Sequence, residues 1–296
     1  MELFLTVCVS SLTLGLLYAL FATGMGLVLR TSGDLNLAHG DSLMLATYVA
    51  LGTVHVTGLG APAVLVDVAV AAAIGVVAYV VIYGPVGAHR RAGSVGLGFL
   101  PALGVALIVR TVATRINPRG FESFPALFAG GNVNLFGDYQ LPAAGWWIAG
   151  AGLVVTGGLW LFLRRGVVGR RMKAVADDPV LARLAGLPVT RTLACSYALA
   201  GAIGGLAGAL FTSFFGQISI NLGWQATLTG FVAAVLGGLD WVRGAVVGGL
   251  VLGTVESFVS GYWSTKFTGV ITFLLLIGVL LAAPEGVLAS SRLRQV

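Results

Sequence analysis

Long stretches without any charged residue constrain this chain more than any other feature of its sequence. Seven of them occur, and the shortest has 18 residues: 3–29, 42–66, 68–88, 92–109, 139–163, 192–239 and 267–284. A helix that spans a bilayer needs about 17–25 apolar residues. Only 9% of the residues are charged, against about 25% in soluble domains. The sequence therefore predicts an all-α polytopic membrane protein, with one transmembrane domain over residues 1–296.

The lengths of these stretches predict about eight or nine transmembrane helices. Stretch 192–239 is long enough for two spans separated by the polar break 216–223, and 244–259 is a shorter span that carries Glu256. The first stretch is too long for the apolar part of a signal peptide and follows Glu2 rather than a basic segment, so we interpret it as a retained span. The nine predicted crossings are 5–29, 40–57, 62–86, 94–113, 141–163, 192–214, 225–239, 244–259 and 267–284.

The basic residues predict the orientation of the chain in the membrane. With these crossings, loops on the side of residues 164–191 hold 13 of the 17 basic residues. The opposite side holds Arg110, Arg115, Arg119 and Lys266. Cytoplasmic loops are enriched in Lys and Arg, so we expect segment 164–191 and the C-terminus in the cytoplasm and the N-terminus outside. Because the net charge of +6 follows this asymmetry, we do not expect a nucleic-acid partner. The external loop 114–140 is interpreted as a cap or a contact surface, with a plain solvated connector as the alternative.

Glycines four residues apart recur in the apolar stretches. Small residues at this spacing let two helices approach closely in lipid. We expect the following pairs to pack within one bundle rather than at a dimer interface: Gly201 and Gly205, Gly204 and Gly208, Gly244 and Gly248, and Gly249 and Gly253.

Segment 164–191 contains a short amphipathic helix. Asp178 is a favourable N-cap, Pro179 suits the first helical position, and Gly186 suits the residue after the helix. Val180, Leu184 and Leu187 follow helical spacing, with Leu181 beside them, and Arg183 lies off this stripe. The stripe can pack on the chain's own bundle, on the lipid interface or in a groove of a partner. The acidic residues Asp177 and Asp178 disfavour the lipid surface.

The same segment resembles a known family. Gly169–Leu187 is similar to the cytoplasmic coupling segment of ABC importer permeases of the branched-chain amino acid family, with Lys173 and Leu187 as mild departures from its pattern. The resemblance continues through Leu35–Gly40, Ala200–Gly208, Leu236–Leu239 and Gly244–Gly249, and reaches Pro284–Gly286. It therefore covers nearly the whole chain.

The resemblance implies a transmembrane subunit of an ATP-driven uptake system in a bacterial inner membrane. Such a subunit works with a second related permease or a second copy of itself, two cytoplasmic ATPases and an external solute-binding protein. The solute is a branched-chain amino acid, another amino acid, or a small amide or urea. The residues implied to couple to an ATPase are Asp177, Asp178, Pro179, Val180, Leu181, Arg183, Leu184, Gly186 and Leu187.

The chain has no nucleotide-binding or catalytic motif of its own. Neither lysine, Lys173 or Lys266, follows a glycine, so a Walker A motif is absent and ATP must be bound by separate subunits. His39, His55 and His89 are too scattered for a metal site, and no nucleophile elbow occurs. We therefore expect no enzyme activity, no metal and no cofactor in this chain. A secondary transporter or channel acting alone, and a scaffold without transport, are the alternatives.

Two glycine-bounded breaks are the predicted translocation site, because transporters often carry paired breaks whose unwound backbone lines a cavity. Gly33–Gly40 resembles Gly237–Gly244, and each links two apolar segments. The candidate pathway or hinge residues are Gly33, Asn36, His39, Gly40, Gly237, Gly238 and Asp240. For Asn36, capping of a broken helix is favoured over solute contact.

Three further acidic residues belong to the spans or the second break. Asp67 is expected to reach the outer interface, and Glu256 to pair with Lys266 or to cap a helix. Asp240 and Arg243 are a possible pair. Such groups are functional candidates because polar residues are costly in a membrane.

Overall fold

The fold is a bundle of long helices. A computed structural model describes residues 2–58, 60–85, 99–125, 133–136, 139–141, 143–238 and 242–282. Its helices are α1 Glu2–Ser32, α2 His39–Thr57, α3 Gly60–Ala78, α4 Phe99–Ile116, α5 Ala143–Arg165, α6 Val167–Asp177, α7 Pro179–Leu184, α8 Val189–Phe215, α9 Asn221–Leu236, α10 Val242–Tyr262 and α11 Thr268–Ala282. A π-helical turn, Tyr79–Tyr83, continues α3, and a 3₁₀ turn, Thr265–Phe267, precedes α11.

Among the residues that the structure describes, six helical segments are long and apolar enough to cross a membrane. They are Phe4–Ser32, Pro62–Tyr83, Gly145–Arg165, Val189–Phe215, Val242–Tyr262 and Thr265–Ala282. The chain is therefore an all-α multi-pass membrane protein, as the sequence predicts. The three other predicted crossings coincide with α2, α4 and α9, which do not meet the same criteria of length and hydropathy. The predicted number of eight or nine crossings thus stays a prediction.

Helix α8 packs against two neighbours through two rows of glycine. Gly201 and Gly205 lie against the backbone of α3 at Ala71 and Asp67, where a Cβ atom would collide with that backbone. On another face, Gly204 and Gly208 lie against α2. The absence of side chains lets the helices approach closely, so α8 holds α2 and α3 in place.

The other two predicted glycine pairs also pack inside the bundle. Gly249 and Gly253 on α10 lie against Ala19 and Gly15 of α1, and Gly248 lies against Ala233 of α9. The backbone of Gly244 on α10 lies against Gly237, the residue that follows α9. All four pairs therefore serve packing within one bundle, which confirms the prediction.

Contacts between the helix ends define two ends of the bundle. Thr31, near the end of α1, donates a hydrogen bond to Ser196, near the start of α8, at 2.9 Å. Helix α6 packs at this end through Gly169, Met172 and Val175, which are buried. We call this end of the bundle the α6–α7 end. The guanidinium groups of Arg164 and Arg243 lie there over the same ring, Trp160, at 5.2 and 5.7 Å.

Short strands lie at the opposite end. β1 Phe121–Ser123 pairs antiparallel with β4 Gln217–Ser219, with Phe121 opposite Ser219. β2 Val133–Phe136 pairs with β3 Tyr139–Leu141. The sequence did not predict these strands. Because β1 pairs with the polar break between α8 and α9, the loop predicted over 114–140 is tied to the bundle and is not a plain connector.

Candidate translocation site and coupling segment

The first break joins α1 to α2 through an ordered turn. Gly33 ends α1 with φ of 71°, and its N–H donates to Leu29 O at 2.9 Å. The side-chain oxygen of Asn36 accepts a hydrogen bond from the N–H of Ala38 at 3.1 Å and another from the hydroxyl of Tyr83 at 2.8 Å. These bonds give Asn36 a structural role, but the predicted cap is absent, because its oxygen binds the N–H of Ala38, which precedes α2, and no N–H inside the helix. Asn36 instead ties the break to the end of α3.

His39 starts α2 in the interior of the bundle. It is buried, and its ring lies between the backbones of α1 and α8 at Gly24 and Gly204. Its Nε2 has no hydrogen-bond partner among the described residues. Asn36, His39, Ser42 and Tyr197 are among the residues that line a cavity of about 10 Å³. Such a volume is about the minimum for one water molecule, so this conformation is closed to an amino acid at the first break.

Gly40 is the point at which α2 crosses α9. Its N–H donates to Thr227 Oγ1 at 3.0 Å, and the hydroxyl of Thr227 donates to Leu37 O at 3.2 Å. A Cβ atom on Gly40 would collide with the carbonyl oxygen of Gly223. Gly40 therefore serves close packing, and its role as a hinge stays a prediction.

The second break lies between α9 and α10, and only its first residues, Gly237 and Gly238, are described. Gly237 has φ of −73°, and the left-handed conformation falls on Gly238, with φ of 90°. In the first break the left-handed residue is Gly33. Gly33 and Gly237, which the sequence repeat aligns, therefore differ in backbone conformation. Gly237 contacts the backbone of Gly244. Asp240, a predicted site residue, lies outside the described residues, as does its predicted pairing with Arg243.

An ion pair that the sequence analysis missed lies beside the first break. Arg110 Nη2 is 3.1 Å from Asp41 Oδ1, and the Asp41 side chain is fully buried. Arg110 lies within α4 and faces α2, so it belongs to the predicted crossing 94–113 and not to the outer loops with which its charge was counted. One signal was available: each of these residues directly borders an uncharged stretch.

Two other buried acidic residues also differ from the predictions. Asp67 is fully buried beside α8 rather than at the outer interface. Glu256 accepts hydrogen bonds from Tyr18, at 2.7 Å, and from Thr272. It therefore joins α10 to α1 and α11, and the predicted pairing with Lys266 was wrong.

The short helix of segment 164–191 has the predicted caps. Asp178 Oδ1 accepts from the N–H groups of Val180 and Leu181 at 2.7 and 2.9 Å, and Pro179 is the first helical residue. Gly186 follows the helix with φ of 78°. Local sequence therefore determines where this helix begins and ends.

The apolar stripe of this helix divides between two environments. Val180, Leu181 and Leu184 are 65%, 63% and 79% exposed, and we call these three side chains the α7 face. Leu187 is only partly exposed and packs with Ala182 on Val175 and Val189. The prediction that Leu187 belongs to the free stripe was therefore wrong. Of the other predicted residues, Asp177, Pro179, Arg183 and Gly186 are exposed and Asp178 is half-buried.

Comparison with known sequences identifies the family. The sequence profile described as "Branched-chain amino acid transport system / permease component" matches residues 7–280. The chain belongs to this family. It is a family of transport permeases, consistent with the prediction of no enzyme activity, and the predicted membership of this family is confirmed.

Several relatives are similar to this permease over most of their length. It is 30% identical to the high-affinity branched-chain amino acid transport system permease protein LivH of Salmonella typhimurium, over 99% of this chain and 98% of the relative. It is 29% identical to BraD of Pseudomonas aeruginosa, over 97% and 96%. The autoinducer 2 import system permease protein LsrD of Escherichia coli O157:H7 is 29% identical over 75% of the permease and 64% of LsrD. No solved structure matches the permease.

Proposed function

We propose that this permease forms the translocation pathway of an ATP-driven importer and receives its driving force through the α7 face. The observation that carries the proposal is the exposure of three large apolar side chains on a helix outside the bundle. A surface that faces water rarely exposes a contiguous group of apolar side chains unless a partner covers them, and the neighbouring Asp177 and Asp178 disfavour lipid as the cover. The resemblance of the segment to the coupling segment of importer permeases supports a cytoplasmic ATPase as that partner.

The names of the relatives support a class of solute. LivH and BraD are named for branched-chain amino acids and LsrD for autoinducer 2. We therefore propose import of a branched-chain amino acid or a similarly small polar solute. The proposed partners are two ATPases, a second related permease or a second copy, and an external binding protein. The proposed location is the bacterial inner membrane, with the α6–α7 end in the cytoplasm.

The packing of α6 and α7 gives a route for the coupling. Ala182 of α7 packs on Val175 of α6, and Met172 of α6 is fully buried in the main core of the bundle. A displacement of α7 by a closing ATPase is therefore passed to the helices around α1 and α8. ATP can favour one conformation only through contacts that differ between the conformations, and the contacts of the α7 face are those proposed to differ.

The test is an association measurement with a matched control. The triple variant Val180→Asp, Leu181→Asp and Leu184→Asp is expected to insert in the membrane and to lose co-purification with the ATPases. Val167→Asp changes an apolar side chain of α6 that is 56% exposed, and it is expected to retain association. Normal association of the triple variant would contradict the coupling role of the α7 face.

Reconstitution separates the proposed function from its alternatives. In proteoliposomes, uptake is expected only with the ATPases, the binding protein and ATP. Uptake by the permease alone would indicate a secondary transporter or channel. Absence of uptake with every component present would indicate a scaffold.

A further inference from the structure

The Asp41–Arg110 ion pair leaves part of its guanidinium unused. Arg110 Nη2 alone approaches both carboxylate oxygens of Asp41, at 3.1 Å and 3.4 Å. In the strongest arginine–carboxylate pairs two nitrogens make parallel hydrogen bonds. Here Arg110 Nε is buried and has no hydrogen-bond partner among the residues that the structure describes. The guanidinium therefore keeps a donor for a second anionic group.

Asp41 lies where the first turns of two helices meet. It belongs to the first turn of α2, and its carboxylate lies against Gly223 in the first turn of α9. A Cβ atom on Gly223 would lie 2.5 Å from Asp41 Oδ1. Helix N-termini favour a negative charge. The two helix N-termini therefore stabilise the negative charge of Asp41 while one cationic partner is replaced by another.

A small apolar cluster lies next to the ion pair. Met44 and Ala113 are three residues after Asp41 and Arg110 on their helices, so they lie on the same helix faces. Both are buried and pack with Ile220, Tyr48 and Val109. Methionine adapts its shape readily to neighbouring apolar groups. The pair thus has a carboxylate, a guanidinium and an aliphatic surface within one neighbourhood.

From this arrangement we propose that Asp41 and Arg110 form a binding site for a zwitterionic α-amino acid with an aliphatic side chain. The inference rests on the proposed transport function and specifies its solute class. The solute ammonium binds Asp41, the solute carboxylate binds Arg110, and the side chain lies on the cluster around Met44. Every charge remains paired during this exchange, which avoids the cost of an isolated charge in the membrane interior.

Helix α4 is placed so that the site can open. Its main helix contact in the described bundle is with α2, and Leu107, Ile108 and Val112 on its other faces are exposed. The Arg110 side chain is 30% exposed and its guanidinium lies 5.7 Å from the ring centre of Trp224. A displacement of α4 from α2 would separate Arg110 from Asp41 without breaking the glycine contacts of α8.

The first experiment compares leucine with analogues that lack one charge. The reconstituted permease complex, without the external binding protein, is melted in the presence of L-leucine, leucinamide or 4-methylpentanoate. A ligand that binds the folded state raises the melting temperature. L-leucine is expected to raise it, whereas leucinamide, without a carboxylate, and 4-methylpentanoate, without an ammonium, are expected to leave it nearly unchanged.

The second experiment assigns each charge to its residue. Arg110→Gln and Asp41→Asn are each expected to weaken leucine binding by about ten- to a hundredfold, the range for hydrogen bonds to charged groups. Arg110→Gln is also expected to abolish the preference for leucine over leucinamide. Asp41→Asn is expected to abolish the preference for leucine over 4-methylpentanoate. Arg115→Gln, an exposed change on the same helix, is the control. Arg110→Met and Asp41→Ser, which also remove the charge, replace the variants if either fails to fold.

The outcomes separate this inference from the proposed function. Equal melting shifts with leucine and leucinamide, or no shift with leucine, would overturn the zwitterion site even if ATP-driven uptake is normal. Unchanged analogue preferences in both variants would show that the ion pair only joins helices. Absence of uptake by the complete wild-type system would instead count against the proposed function itself.

Discussion

The backbone N–H of Gly40 donates a hydrogen bond to Thr227 Oγ1 at 3.0 Å, and this contact fixes α2 against α9. The contact requires a residue without a side chain, because a Cβ atom would meet the Gly223 carbonyl oxygen. The start of α2, the candidate break and the Asp41–Arg110 pair all lie within a few residues of this crossing.

Gly40→Ala is expected to destabilise the permease by about 1–3 kcal/mol, the usual cost of overpacking. The extra methyl group has to push α2 away from α9. Gly52→Ala on the same helix is the control, since a Cβ there meets no atom within 4 Å and alanine favours helix. Thermal melting of the purified protein measures both. Equal melting temperatures for Gly40→Ala and the wild type would show that this crossing is not tightly packed.

Tyr18→Phe is expected to cost about 0.6–2 kcal/mol, the range of hydrogen bonds between helices in membranes. The change removes the donor to Glu256 and weakens the junction of α1 with α10. A double-mutant cycle with Glu256→Gln measures the coupling in denaturant unfolding. Tyr262→Phe, at a 55% exposed position of α10, is expected to change little. Strictly additive effects of Tyr18→Phe and Glu256→Gln would argue against a direct interaction.

Asp178→Ala is expected to destabilise α7 by about 1 kcal/mol through loss of its N-cap. If the ATPase binds the folded helix, its affinity falls by about fivefold. Asp178→Asn keeps a capping oxygen and is expected to retain affinity. Asp177→Ala removes the neighbouring charge without removing a cap. A pull-down titration with the ATPase measures the affinity of the three variants and of the wild type. Equal losses in the two alanine variants would assign the effect to charge instead of capping.

Ser42→Cys is expected to react slowly with a small membrane-impermeant thiol reagent at rest and faster during ATP-driven turnover. Ser42 lines the small cavity of the first break, and opening of a pathway there would admit water. The background carries Cys8→Ser and Cys195→Ser. Ala50→Cys, fully buried on the same helix, is expected to stay protected. Protection of Ser42→Cys in both conditions would place the pathway elsewhere.

Local chemistry made several features predictable. The cap at Asp178 and the left-handed glycine at Gly186 involve only neighbouring residues, so their geometry follows from the sequence. The glycine pairs of α8 were predictable as packing sites because close approach in lipid requires small residues. The helices that these glycines contact were not predictable, because the spacing of the glycines does not indicate which helix packs against them.

Leu187 shows why the candidate site was only partly predictable. Helical spacing assigned it to the stripe with Val180 and Leu184, but α7 ends at Leu184 and the chain then turns. Leu187 consequently packs on the bundle. Periodicity applies only as far as the helix continues.

The sequence by itself determined the membrane class and the capped α7, because hydrophobic length and capping act over short distances along the chain. Tertiary structure alone decided that Asp41 meets Arg110, 69 residues away, and that Tyr18 meets Glu256, 238 residues away. These contacts depend on how each helix is rotated and which helix lies beside it. Helices that are apolar on nearly every face carry little sequence information about either.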